Sequence, residues 1–125
     1  MSALVLAVAL AAGAVGALLR YSTTLLFARL HDDLPWAVLT VNSVGSLIGG
    51  VVLGLVSTGA VGADVQLIVV GGLAGGLTTF STFSVETIQL ALARRWRTAA
   101  LTVGANLALG IASAVLGFAV VGGFG

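Results

Sequence analysis

Acidic and basic positions divide the chain into four long apolar runs. The ten such side chains are Arg20, Arg29, His31, Asp32, Asp33, Asp64, Glu86, Arg94, Arg95 and Arg97, and between them lie uncharged stretches over 1–19, 34–63, 65–85 and 98–125. A helix crosses the ~30 Å hydrocarbon core with about 20 mainly apolar residues, because each residue rises ~1.5 Å. Each run is long enough for one crossing. The pattern therefore predicts an all-α integral membrane fold, a single four-helix transmembrane domain over 1–125. Its helices are expected at about 3–29, 36–58, 64–93 and 98–121. Pro35 suits the first turn of the second helix, where its missing N–H costs nothing. Ser57-Thr58-Gly59 ends that helix, and Arg94-Arg95-Trp96-Arg97 forms a short basic connection.

Composition narrows the function classes. Hydrophobic types make up 59% of the 125 residues and charged types 7%, against about a quarter charged in a soluble domain. The loops and tails left over have no room for a soluble catalytic domain. There is no cysteine and only one histidine, which removes thiolate chemistry and makes a Ser-His-Asp triad implausible. An enzyme is not expected. The net charge of +1 gives no nucleic-acid footprint. No basic residue precedes the first apolar run, so a retained first helix is expected rather than a cleaved signal. Arg29, Arg94, Arg95 and Arg97 all fall in the connections after the first and third helices, while both termini and the second connection lack Lys and Arg. This asymmetry places the termini outside and the basic loops in the cytoplasm.

The chemistry is concentrated in the third run. Gly71-Gly-Leu-Ala-Gly-Gly-Leu-Thr-Thr-Phe-Ser-Thr-Phe83 sets paired glycines ahead of Thr78, Thr79, Ser81 and Thr82, with Phe80 among them. Glycine and clustered hydroxyls weaken a helix, so a break near 75–80, close to the bilayer midplane, is expected. Backbone freed at that depth must be buried in protein or line a watery path, and broken helices recur at ion sites. The alternative is a continuous helix whose glycines pack and whose hydroxyls bond back to carbonyls. A phosphate loop is excluded, because Leu77 stands where its lysine would be. Asn42, in the second helix, needs hydrogen-bond partners in hydrocarbon. An interhelical bond and a donor role toward an anion are both open. Arg20 either snorkels to the interface or acts as a vestibule cation that draws anions. Glu86 either joins a polar network near a pore end or sits at the interface.

Three blocks, Gly13-Ala-Val-Gly-Ala-Leu-Leu-Arg-Tyr21, Leu39-Thr-Val-Asn-Ser-Val-Gly45 and Gly75-Gly-Leu-Thr-Thr-Phe-Ser-Thr-Phe83, together resemble the Fluc (CrcB) family of fluoride channels. The resemblance extends over essentially the whole chain, and the third block is the most specific. It implies a passive, selective channel that exports cytoplasmic fluoride across the plasma membrane, built as an antiparallel dimer with two pathways near the subunit interface. It further implies a fluoride pathway through Asn42, Phe80, Phe83, Ser81, Thr82 and Thr79. Arg20 and Glu86 would take the vestibule or polar-network positions. A structural sodium ion would sit at the dimer centre on the backbone carbonyls of Gly75 and Thr78. The chain departs from the family in the fourth helix, where many members carry a tyrosine and, four residues on, a serine. Asn106 and Gly110 stand there. The one-sided loop charge and this departure lean toward one half of a pair of related four-span subunits rather than a homodimer.

Two rivals come from other classes. A small proton-coupled multidrug or cation exporter needs a membrane-embedded carboxylate, placed by such families in the first helix, which here holds no acid. A non-transporting membrane assembly subunit would account for packing glycines but not for the hydroxyl and phenylalanine run.

Overall fold

The computed structural model describes residues 2–29 and 35–122. The expected loop residues His31, Asp32 and Asp33 lie outside the described residues. Four helices long and apolar enough to cross a membrane run over Ala3–Phe27, Trp36–Ser57, Ala63–Leu92 and Trp96–Val120. Among the described residues there is no strand. The chain is an all-helical, multi-pass membrane protein.

Local chemistry sets the helix ends. Ser2 caps the first span, its Oγ accepting from the Val5 N–H at 3.1 Å. Near the other end, Ser22, Thr23 and Thr24 donate their hydroxyls to the carbonyls of Leu18, Leu19 and Arg20 at 2.8–3.0 Å. This polar stretch satisfies itself within the helix, which is what an apolar surrounding demands. The second and third spans close with the same motif. After Ser57, the N–H groups of Gly59 and Ala60 donate back to Val56 and Leu55 at 3.0 and 2.9 Å. After Leu92, those of Arg94 and Arg95 donate to Ala91 and Leu90 at 3.0 and 2.8 Å. Both are Schellman caps, which put one residue in the left-handed region. Gly59 meets that demand freely at φ 79°, but Arg94 meets it at φ 60° with a full side chain. The tight reversal at Arg94 explains why the fourth helix starts at Trp96, earlier than the expected 98. The connection needs only 93–95.

Packing joins the second span to the fourth and the first to the third. In lipid such contacts rest on close backbone approach at small residues. A Cβ on Gly76 would strike the backbone of Gly13, and one on Gly16 would come within 2.8 Å of the Leu77 nitrogen. Across the other pair, a Cβ on Gly117 would come within 2.8 Å of the Val51 nitrogen. Few side chains are enclosed. The buried apolar set is Ala9, Val38, Leu39, Val41, Val52, Ala74, Leu77 and Ala99, and most of the large apolar residues face outward as a lipid-facing surface would.

The third span is not one regular helix. An α-turn at Ala63–Gln66 leads into a π-helix over Leu67–Ala74, then a short α-segment at Gly75–Leu77. Thr78 is extended, with φ −80° and ψ 160°, and helix resumes at Ser81–Leu92. The π-segment was not expected. Its wider coil changes the rotational phase of the residues after it, and such segments cluster at functional sites.

Candidate functional site

The interruption at 78–80 is explained by where its backbone groups go. Thr78 N–H still bonds Ala74 O at 2.9 Å, closing the first half, and Ser84 N–H bonds Phe80 O at 2.9 Å, opening the second. Between them, the Thr79 backbone is taken by a side chain of another span. Its N–H donates to Asn42 Oδ1 at 2.8 Å, and its carbonyl accepts from Asn42 Nδ2 at 3.1 Å. A carboxamide offers an acceptor and two donors on one plane, so it can replace both helical partners of one residue. Thr79 Oγ1 in turn accepts from Thr82 N–H at 3.1 Å, capping the second half as a helix start prefers.

These diversions leave two carbonyls without their helical donors. In a continuous α-helix Gly75 O would receive Thr79 N–H and Thr78 O would receive Thr82 N–H. In this chain those donors go to Asn42 and to Thr79 Oγ1. Gly76 O is supplied from the first span, by Arg20 Nε at 3.2 Å. Arg20 therefore reaches the interrupted segment rather than only the interface. Among the described residues no group of His, Cys, Asp or Glu could hold a metal ion. Oxygen atoms are the available ligands at this place, and the Gly75 and Thr78 carbonyls are among those whose α-helical donors are turned elsewhere.

Around the interruption lies an open groove of about 360 Å³ between the second, third and fourth spans. Asn42, Thr78, Thr79, Phe80, Phe83 and Asn106 line it, with Ser46 and Leu107. The Phe80 and Phe83 ring centroids are 6.1 Å apart with a 48° tilt. Phe80 is 79% exposed and projects from the open side, while Phe83 is half-buried. Ser81 is not among the lining residues, but its Oγ lies 3.4 Å from Thr79 Oγ1. Thr82, Arg20 and Glu86 lie off the groove, and one Glu86 carboxylate oxygen is buried with no hydrogen-bond partner among the described residues.

Sequence reasoning missed two contributors. Asn106 Oδ1 accepts the other Asn42 donor at 3.2 Å, while Asn106 Nδ2 donates to Thr102 O at 2.9 Å. The fourth span thus does supply a hydrogen bond to the site, through the very side chain at which the sequence departs from the pattern it resembles. Ser46 lies one turn beyond Asn42, and Gly110, one turn beyond Asn106, faces it. A Cβ on Gly110 would sit 3.5 Å from Ser46 Oγ. The available signal was this matched spacing of four on two helices, which puts each pair on one face.

Four membrane-capable helices among the described residues, the third interrupted beside a groove lined by neutral donors and phenyl rings, define a class: a small multi-pass membrane protein with an uncharged polar site set among its helices. The family follows from comparison. Residues 6–118 match the family described as CrcB-like protein, Camphor Resistance (CrcB), and the chain belongs to it. It is 45% identical to fluoride-specific ion channel FluC 1 of Thermobifida fusca (strain YX), over 99% of this chain and 98% of that protein. It is 42% identical to fluoride-specific ion channel FluC of Roseiflexus sp. (strain RS-1), over 88% and 91% of the two chains. The protein of the same name from Thermus thermophilus is 39% identical over 85% and 86%.

Proposed function

We propose that this chain forms a passive, fluoride-selective channel of the plasma membrane that lets cytoplasmic fluoride leave. The observation that carries the reading is the convergence of Asn42, Thr79, Phe80 and Phe83 on one groove, in a family whose relatives bear fluoride-specific names. Fluoride is small and hard, so shedding its water is costly. Amide and hydroxyl donors replace part of that shell, and the positive edges of the phenyl rings face the anion while the walls stay apolar. Sites of neutral donors hold the ion weakly enough to release it, as conduction requires. Among the described residues no carboxylate lines the groove, which disfavours a proton-coupled exporter.

The working unit is an antiparallel dimer, of two copies or of this chain with a related four-span subunit. Support comes from the groove's open side, the outward Phe80 ring and the unpartnered Glu86 oxygen, since a buried polar atom without a partner is costly. The interruption of the third span then lies near the bilayer midplane, with the basic loops cytoplasmic. Gly75 and Thr78 carbonyls would hold a sodium ion at the dimer centre. A bound sodium raises the local potential for anions. Arg20, held on Gly76 O, contributes positive charge beside the same segment.

The test is flux. Purified protein in liposomes loaded with fluoride should release it rapidly to an external buffer, read by a fluoride electrode, with very little chloride movement. A silent preparation calls for coexpression with a second four-span subunit encoded nearby. Silence in both refutes the channel.

A further inference from the structure

We infer that Asn106 is a positioning residue that sets fluoride affinity by competing with the ion for Asn42. The inference rests on the channel reading above. A carboxamide nitrogen carries two N–H donors, and Asn42 spends one on Thr79 O and the other on Asn106 Oδ1. The orientation of both amides is fixed by backbone partners. Asn42 Oδ1 must accept, because a backbone N–H points at it from Thr79 at 2.8 Å. Asn106 Nδ2 must donate, because it faces the Thr102 carbonyl at 2.9 Å. Asn106 Oδ1 is therefore left toward Asn42, and in this structure Asn42 has no spare donor.

An anion in the groove meets a donor already occupied. The bond to Thr79 O holds the interrupted span in place, so the one that yields is the bond to Asn106, a side chain that also lines the groove. Each ion at Asn42 displaces Asn106 Oδ1, and each departure lets it return. The neutral oxygen acts as a tethered competitor. It keeps the donor satisfied between ions and weakens ion binding by about the worth of one hydrogen bond.

Asn106→Ala removes the competitor. The fluoride concentration giving half-maximal liposome flux should fall about threefold to tenfold, the equivalent of one neutral hydrogen bond. Asn106→Asp keeps an acceptor and adds negative charge, and should raise that concentration. An unchanged or raised value in Asn106→Ala, with flux intact, overturns the inference and leaves the channel reading standing. A wild-type protein that passes no fluoride, alone or with a second subunit, removes both. A second measurement needs no variant to fold. In ¹⁵N-labelled wild-type protein the side-chain amide signals of Asn42 and Asn106 should move together under sodium fluoride, with one midpoint, and stay still under sodium chloride. An Asn106 signal that stays fixed while Asn42 responds overturns the inference.

Discussion

Replacing Asn42 by leucine removes the carboxamide while keeping the number of side-chain heavy atoms and the branch at Cγ. Three hydrogen bonds go with it, two to the Thr79 backbone and one to Asn106. An interhelical bond in a membrane contributes about 0.6 kcal/mol and an average intramolecular one about 1 kcal/mol, so the loss is roughly 2 to 3 kcal/mol. One contribution runs the other way. The freed Thr79 N–H can return to Gly75 O, its α-helical partner, and recover about one bond. The net cost is about 1–2 kcal/mol. Reclosing the helix also occupies the Gly75 carbonyl, so a cation loses a ligand. Unfolding in mixed micelles by added dodecyl sulfate, in sodium and in N-methylglucamine buffers, reads both effects. Sodium should stabilise the wild type, as any ligand of the folded state does, and should not stabilise Asn42→Leu. Without sodium the variant should still be weaker by the net cost. A variant as stable as wild type, or one that keeps the full sodium response, refutes the idea that Asn42 holds the third span open.

Gly76→Val should separate the first and third spans, because its Cβ would meet Gly13 backbone atoms at about 3 Å and backbone cannot yield; a loss of about 3 kcal/mol or more is expected in the same unfolding assay. Gly49→Ala is the control, since nothing lies within 4 Å of its Cβ position, and its stability should hold or rise by up to about 1 kcal/mol. The two caps should respond oppositely: Gly59→Ala should cost about 1 kcal/mol, and Arg94→Gly should gain somewhat less than about 1 kcal/mol, both read as shifts in the unfolding midpoint. Phe80→Ala should abolish fluoride flux in the liposome assay, because the ring lines the groove beside Asn42; flux like that of wild type would remove Phe80 from the pathway.

The four spans were legible because so few charges interrupt the chain, and each uncharged run is about as long as one bilayer crossing or longer. The weak point of the third span was legible for a related reason: paired glycines and four hydroxyls disfavour a regular helix. The π-segment over Leu67–Ala74 was not, since a run of leucine, valine and glycine suits an α or a π coil equally. Nor was the agent of the interruption. That Asn42 captures both backbone groups of Thr79 depends on how the second and third spans face each other, which no local pattern encodes. Asn106 was visible as an unusual residue, but its tie to Asn42 appears only once the second and fourth spans are packed together. Arg94 shows a different limit. Left-handed caps announce themselves through glycine, and at this one the residue is arginine.

That arginine has a consequence for how the protein is made. Glycine at position 94 would cap the third span with less backbone strain than a side chain at φ 60°. A benefit could come earlier, during insertion. On the orientation proposed above, Arg94 stands with Arg95 and Arg97 in the segment that must stay on the cytoplasmic side, and each guanidinium there resists translocation. On that orientation the strained turn would double as a stop sign for the insertion machinery, read before any helix has packed.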